Sequence, residues 1–266
     1  MPSRLVGATR ITGLRAPALE RATFRLRFAD GTTLKGRRLD RPAEAERIQR
    51  LIRHLDPDAF AHPLAMRGRA LLEPWVDGKV LPRGVRDAEV IRACGALLGS
   101  VHAVRTDWDA DEAARWEPAR RLANVTHRLV KLAAAGLMSP RLSDRLIQVA
   151  GESVPSEIVV GIVHRDMWPL NIVIDSAGRP RVIDNGTISF GAHAFDLART
   201  AYLWPMDAGA RKAFRSGYDG AAPGRPADSP FWDIDVAAEV ALFRHTAGVA
   251  GVPRPLAQLR RLASTA

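Results

Sequence analysis

The spacing of hydrophobic residues changes its period several times along the chain, and each change marks an element. From Thr23 to Arg38 the period is two: Phe24, Leu26 and Phe28 alternate with Arg25 and Arg27. Asp30-Gly31 then turns the chain, and Thr32 to Gly36 returns, which predicts a β-hairpin with Leu34 and Lys35 on opposite faces. Residues 1–20 read as irregular or edge-strand sequence. Between Pro42 and Leu55 the period becomes helical, with Ile48, Leu51, Ile52 and Leu55 as the apolar stripe and Asp40 as the cap. At about 100° per residue Glu44 falls on that stripe and Glu46 nearly opposite it.

His62 to Gly78 reads as a strand pair ending in Glu73-Pro74-Trp75-Val76. Helical spacing resumes from Asp87 to Val104 through Val90, Ile91, Cys94, Leu97, Leu98 and Val101. A single helix is expected over Glu112 to Ala135, stopped by Gly136, and another over Ser143 to Ala150. Gly151 to Glu157 is then a loop. Two β-branched runs follow, Ile172-Val173-Ile174 and Val182-Ile183. Ser176-Ala177-Gly178 and Pro180 separate them, which predicts a second hairpin. Beyond Arg199 the pattern is of mixed helices around a loop at Gly220 to Pro230.

The chemistry concentrates around that second hairpin, in Ile162 to Gly186. His164, Asp166 and Asn171 stand in the order H-x-D-x-x-x-x-N, and Asp184-x-Gly186 follows where the hairpin ends. Asp and Asn favour turns, so any one of these is an ordinary turn residue. Four of them in fixed order around a strand–turn–strand is a specific arrangement. It resembles the catalytic loop and metal-binding Asp of protein kinases.

Asp166-Met167-Trp168-Pro169-Leu170-Asn171 narrows the likeness, because Pro stands three after the Asp and Trp168 replaces the Lys usual in protein kinases. This resembles the aminoglycoside phosphotransferase and choline kinase-like group, whose loop reads H-G-D-x-x-P-x-N. Val182-Ile183-Asp184-Asn185-Gly186, with Phe195-Asp196-Leu197-Ala198 after it, is similar to that group too. Arg165 departs from its usual Gly, and Gly13 to Glu20 has one Gly where a glycine-rich loop would cover the phosphates.

The resemblance implies a two-lobed, protein kinase-like α+β fold. A small antiparallel-sheet nucleotide-binding lobe would span residues 1–74, and a mainly helical catalytic and acceptor-binding lobe residues 75–266. It implies ATP and Mg²⁺ as cofactors and a small-molecule hydroxyl as acceptor, in an antibiotic, an amino sugar or an amino alcohol; antibiotic resistance is one role such an activity serves. Asp166 would be the catalytic base and His164 a brace for its loop. Asn171 and Asp184 would hold the metal, with Gly186 giving the following turn freedom at positive φ. Lys35 would grip the phosphates with Glu44 as its partner carboxylate, and Glu73, Trp75 and Val76 would line the nucleotide-binding connection. Asp196 would brace the catalytic loop. Tyr202, Trp204, Asp207, Asp219, Trp232, Asp233, Asp235 and Glu239 are the residues offered to a cationic acceptor. A protein Ser/Thr kinase is the alternative favoured by His-Arg-Asp and opposed by Trp168. A non-catalytic nucleotide-binding module is supported only by the poor glycine loop.

Composition sets the remaining bounds. At 266 residues the chain can bury a sizeable core. The lone Cys94 sits in an apolar run and can form no internal disulfide, which fits a reducing cytoplasm. The first residues carry no apolar leader, and no apolar run is long enough for a membrane span. The net charge of +10 is carried by arginines spread along the chain; only four of 39 basic residues are Lys. Nucleic acid is therefore not the expected partner, since no basic block is present. Nothing in the sequence selects an oligomeric state.

Overall fold

The computed structural model describes residues 4–11, 22–106, 110–222 and 224–265. Gly13 to Glu20, the stretch matched to a phosphate-covering loop, lies outside the described residues. The chain packs into two compact units. One holds residues 1–104, 164–189 and 206–223; the other holds 105–163, 190–205 and 224–266.

The first unit is built on a five-stranded antiparallel sheet. Its strands are β1 (Leu5–Ile11), β2 (Ala22–Phe28), β3 (Thr33–Arg38), β4 (Ala65–Arg67) and β5 (Ala70–Pro74), in the order β1-β2-β3-β5-β4. The period-two run is therefore a true hairpin, and Gly31, at φ 85°, makes its turn. Helix α1 (Pro42–Ile52) buries Ala45, Ile48, Leu51 and Ile52. Its N-cap is Arg41, with no side-chain cap, rather than the expected Asp40; Pro42 at the first helical position starts the helix instead.

Helix α2 (Ala88–Ala103) begins at Asp87, whose carboxylate accepts from the amides of Glu89 and Val90 at 3.0 and 3.2 Å. It packs against α7 (Ala208–Ala221) closely enough that glycine is required. A Cβ on Gly95 would stand 2.0 Å from the Phe214 carbonyl oxygen, and one on Gly217 1.9 Å from that of Arg92. His102 is buried in this contact, its Nδ1 2.7 Å from the Tyr218 hydroxyl. Cys94 lies there fully buried, and burial pushes its thiol up to about 12.

The second hairpin also belongs to this unit. A short β6 (Lys79–Val80), not foreseen in the sequence, pairs with β8 (Ile172–Ile174), and β8 pairs with β9 (Pro180–Val182). Residues 59–61 run alongside β9. The Val182 amide donates to Ala59 O at 2.7 Å and the Ala61 amide to Val182 O at 3.2 Å.

The second unit contains α3 (Ala110–Ala114), α4 (Pro118–Ala134), α5 (Pro140–Ser153), α6 (His193–Leu203), α8 (Pro230–Thr246) and α9 (Pro253–Thr265). β7 (Val160–Val163) pairs there with β10 (Ser189–Ala192). Val125, Leu129, Leu146, Val149, Phe195, Phe231, Ile234 and Leu259 are part of its core. The single helix expected over Glu112 to Ala135 is two, broken before Pro118. A residue preceding proline is disfavoured in the α region, so Glu117 is extended in ψ and α4 starts afresh. Gly136, at φ 71°, does end α4 as expected. α5 is longer than its apolar spacing indicated, because Ser139 caps it from Pro140 and it runs on to Ser153.

Candidate active site

β7 delivers the chain into the loop that begins at His164. The His164 ring is fully buried. The Asp166 amide donates to its Nδ1 at 3.3 Å, so Nε2 carries the proton and donates to Asn185 Oδ1 at 3.2 Å. Asn185 in turn donates to Ala61 O at 3.0 Å, and Thr187 Oγ1 donates to His164 O at 2.8 Å. The ring thus fastens the loop to the segment after Asp184 and has no nitrogen left over for proton transfer.

Arg165 has φ 65°, the only non-glycine residue in the left-handed region among those described. That conformation costs an L-residue roughly 1–2 kcal/mol, which explains why a glycine is usual in loops of this sequence type. The reward is local: the next residue, Asp166, lies half-buried within reach of Asn171. Asn171 Nδ2 donates to Asp166 Oδ2 at 2.7 Å and to Asp166 O at 2.9 Å. Pro169 sets the 3₁₀ turn Pro169–Asn171 that makes this possible, closed by the Asn171 amide on Trp168 O at 2.9 Å.

Asp184 stands where β9 has ended, its side chain 44% exposed. Burial of its surroundings pushes the carboxyl up, but the Arg37 guanidinium and Lys35 ammonium outweigh this and hold it at about 2. Arg37 Nη2 lies 3.1 Å from Asp184 Oδ1. Arg37 is not among the site residues that the motifs point to. The signal was present, because Arg37 is two residues after Lys35 on one strand and so shares its face.

The register of the sheet explains the rest of the cluster. Lys35 on β3 is the direct partner of Glu73 on β5. Its Nζ lies 3.3 Å from Glu73 Oε2 and also donates to Ile183 O. Arg37 Nη1 is 3.6 Å from Glu73 Oε1, so one fully buried carboxylate serves both cations. Burial alone would lower the Arg37 pKa; Asp184 and Glu73 raise it instead. Glu44, the expected partner of Lys35, does not take that place. It is buried on α1 as its helical phase indicated, with Arg41 Nη2 at 3.7 Å. Strand pairing puts Glu73 directly across from Lys35, and no helix-phase argument can see that.

Gly186 differs from the expectation of a positive-φ turn. It is not among the positive-φ glycines; what it supplies is space, since a Cβ there would stand 2.0 Å from Arg37 Nη2. Trp75 and Val76 follow β5 and are half-buried. The Arg25 guanidinium lies over the Trp75 ring, 4.6 Å from its centroid.

The donors suit a hard divalent cation. Asp184 is ionised and partly open, and Asn171 spends its NH₂ on Asp166, which leaves Oδ1 as an oxygen donor. No group of three or more His, Cys, Asp or Glu that could hold a metal occurs among the described residues. One carboxylate and one amide fit Mg²⁺ in the manner that completes its shell with phosphate and water.

The residues offered to an acceptor are less free than their letters suggested. Asp207 caps α7, accepting from the Ala210 amide at 2.8 Å. Tyr202, Trp204, Trp232 and Asp235 are buried, and so is Asp196 on α6. Asp235 pairs with Arg121 at 2.6 Å and with Arg128, while Glu239 pairs with Arg128 at 2.9 Å and Arg199 at 3.4 Å. Burial raises the Asp235 carboxyl against the pull of Arg121. Asp233 is half-buried and Asp219 exposed.

Residues 19–231 match the sequence profile of the phosphotransferase enzyme family. No curated protein matches the chain. Among solved structures, the chain is similar to the macrolide 2'-phosphotransferase of Brachybacterium faecium, with 19% identity and TM-score 0.65 over 98% of this chain and 92% of that one. It is also similar to the choline kinase of Streptococcus pneumoniae, with 10% identity and TM-score 0.70 over 98% and 93%. The ethanolamine kinase of Plasmodium vivax gives 11% identity and TM-score 0.69 over 96% and 82%. At these identities the likeness is one of fold, and the fold is the protein kinase-like one.

Proposed function

Since the chain belongs to the phosphotransferase enzyme family, we propose that it transfers the γ-phosphoryl group of ATP to a hydroxyl of a small molecule, with Asp166 as the base. An antibiotic, an amino sugar or an amino alcohol is the acceptor class. The observation that carries this reading is the pairing of two differently placed carboxylates in one compact unit. Asp166 is oriented by Asn171, and Asp184 is kept ionised beside Lys35 and Arg37.

Asp166 Oδ2 is fixed by the Asn171 amide, and its other oxygen accepts the acceptor's hydroxyl proton as that oxygen attacks phosphorus. Lys35, anchored by Glu73 and Ile183 O, would meet the phosphates with its ammonium. These positive charges matter because the transferred group carries negative charge on three oxygens in the transition state. Asp184 and Asn171 Oδ1 would hold Mg²⁺, which when bound neutralises phosphate charge. Glu73 acts in this scheme as the shared counter-charge that fixes Lys35 and Arg37, and Trp75 and Val76 as the strand end beside the nucleotide. In this reading residues 1–74 bind nucleotide and 75–266 carry catalysis and the acceptor, a functional division that the two packing units cut across. No helix among the described residues is long and apolar enough to cross a membrane; a cytoplasmic setting belongs to the proposal.

The test is acceptor-dependent release of ADP across a panel of aminoglycosides, macrolides, amino sugars and choline-like alcohols. Asp166→Asn should keep ATP binding and lose turnover by roughly 10²–10⁴-fold. An active Asp166→Asn variant would sink the assignment of the base.

A further inference from the structure

Gly13 to Glu20 holds a single glycine where a glycine-rich phosphate loop has several. The sheet offers a replacement. Arg25 on β2 is the register partner of Lys35 on β3, and Lys35 is the partner of Glu73 on β5. Cross-strand partners share a face. Arg25, Lys35 and Glu73 therefore form one row, with Arg37 in the next row about 7 Å along the strand. Three cations face the same side as the two carboxylates Glu73 and Asp184. The carboxylates pair with Lys35 and Arg37, and none among the described residues pairs with Arg25.

Arg25 is exposed, yet its guanidinium lies over Trp75, 4.6 Å from the ring centroid. The contact draws Arg25 toward the end of the row where Trp75 follows Glu73 and Pro74. A cation–π contact at an exposed site is weak beside a charge-assisted fork on phosphate, so an arriving anion can draw the guanidinium off the ring.

We propose that Arg25 is a further nucleotide-positioning residue, which Trp75 holds ready and which closes its guanidinium fork on the polyphosphate in place of glycine-loop amides. The inference rests on the nucleotide-dependent reading of this site.

The experiment is calorimetric titration of wild type, Arg25→Met, Arg25→Lys and Trp75→Ala with adenosine, ADP and ATP, each with Mg²⁺, after circular dichroism has matched their folds. Arg25→Met should weaken ATP roughly tenfold or more, ADP less, and adenosine not at all. Arg25→Lys should recover part of the loss, since an ammonium keeps the charge without the fork. Trp75→Ala should show a smaller loss of the same phosphate-dependent kind. Wild type and Arg25→Met binding ATP equally would overturn the role of Arg25 and leave the phosphotransfer reading standing. An equal loss for adenosine, ADP and ATP would show that Arg25 shapes the base site and overturn its phosphate role. Folded wild type that binds no ATP would overturn the phosphotransfer reading and this inference with it.

Discussion

Arg37 Nη2 lies 3.1 Å from Asp184 Oδ1, joining the third strand of the sheet to the residue that follows the second hairpin. The same guanidinium reaches Glu73, so a single buried side chain ties together the Glu73 and Asp184 carboxylates. Lys35 does the parallel task through Glu73 and Ile183 O. The sheet and the hairpin are held in register by charge at the point where the proposed chemistry occurs.

Removing Arg37 should therefore cost stability as well as nucleotide affinity. Arg37→Met strands a fully buried Glu73 with one cation, and loss of one member of a buried pair typically costs about 3–5 kcal/mol. Arg37→Lys should fall between, since an ammonium cannot serve both carboxylates in one plane. Urea unfolding measures this; a loss for Arg37→Met under about 1 kcal/mol would show that the cluster is not structural.

At Arg165 the expectation is a rank order. With φ at 65°, Arg165→Gly and Arg165→Asn should be tolerated, whereas Arg165→Val should unfold at least about 1 kcal/mol more easily than the glycine variant. Thermal melts of the three variants decide it. A valine variant as stable as glycine would mean that the loop relaxes out of the left-handed region at little cost.

The Asp184 carboxyl sits at about 2 in the folded protein against 3.8 ordinarily. A depressed carboxylate stabilises the fold above its unfolded pKa, and the contribution fades as pH falls from about 4 through 2. Because the side chain is 44% exposed, solvent screening leaves it on the order of 1 kcal/mol. Asp184→Asn should flatten that part of the stability curve, as urea midpoints at pH 6, 4 and 3 would reveal. Asp184 also remains ionised from pH 5 upward, so an acid limb in the activity profile near neutrality must come from another group.

In the second unit, burial should separate two carboxylates that share Arg128. Asp235 is fully buried between Arg121 and Arg128, and Asp235→Ala should cost about 3–5 kcal/mol. Glu239 is partly open, and Glu239→Ala should cost about 1 kcal/mol or less. Equal losses in denaturant titrations would contradict the burial argument.

What the sequence by itself determined lies among the features set by short spacing, though not all of them: the cap of α1 and the break before Pro118 are local and differ from the expectation. The hairpin at Thr23 to Arg38 was legible from its period of two and Asp30-Gly31. The order of His164, Asp166 and Asn171 was legible because one turn at Pro169 brings Asn171 back to Asp166. Local geometry decides such features, and local geometry is written in neighbouring residues. The partner of Lys35, the need for Arg37 and the true reason for Gly186 were decided only by tertiary structure. Glu73 meets Lys35 through strand register, and Arg37 meets Asp184 across a long stretch of chain. The buried fate of Asp235 was hidden for the same cause, since its cations come from a separate helix. A charge reads alike whether it faces water or another charge, and only packing settles which.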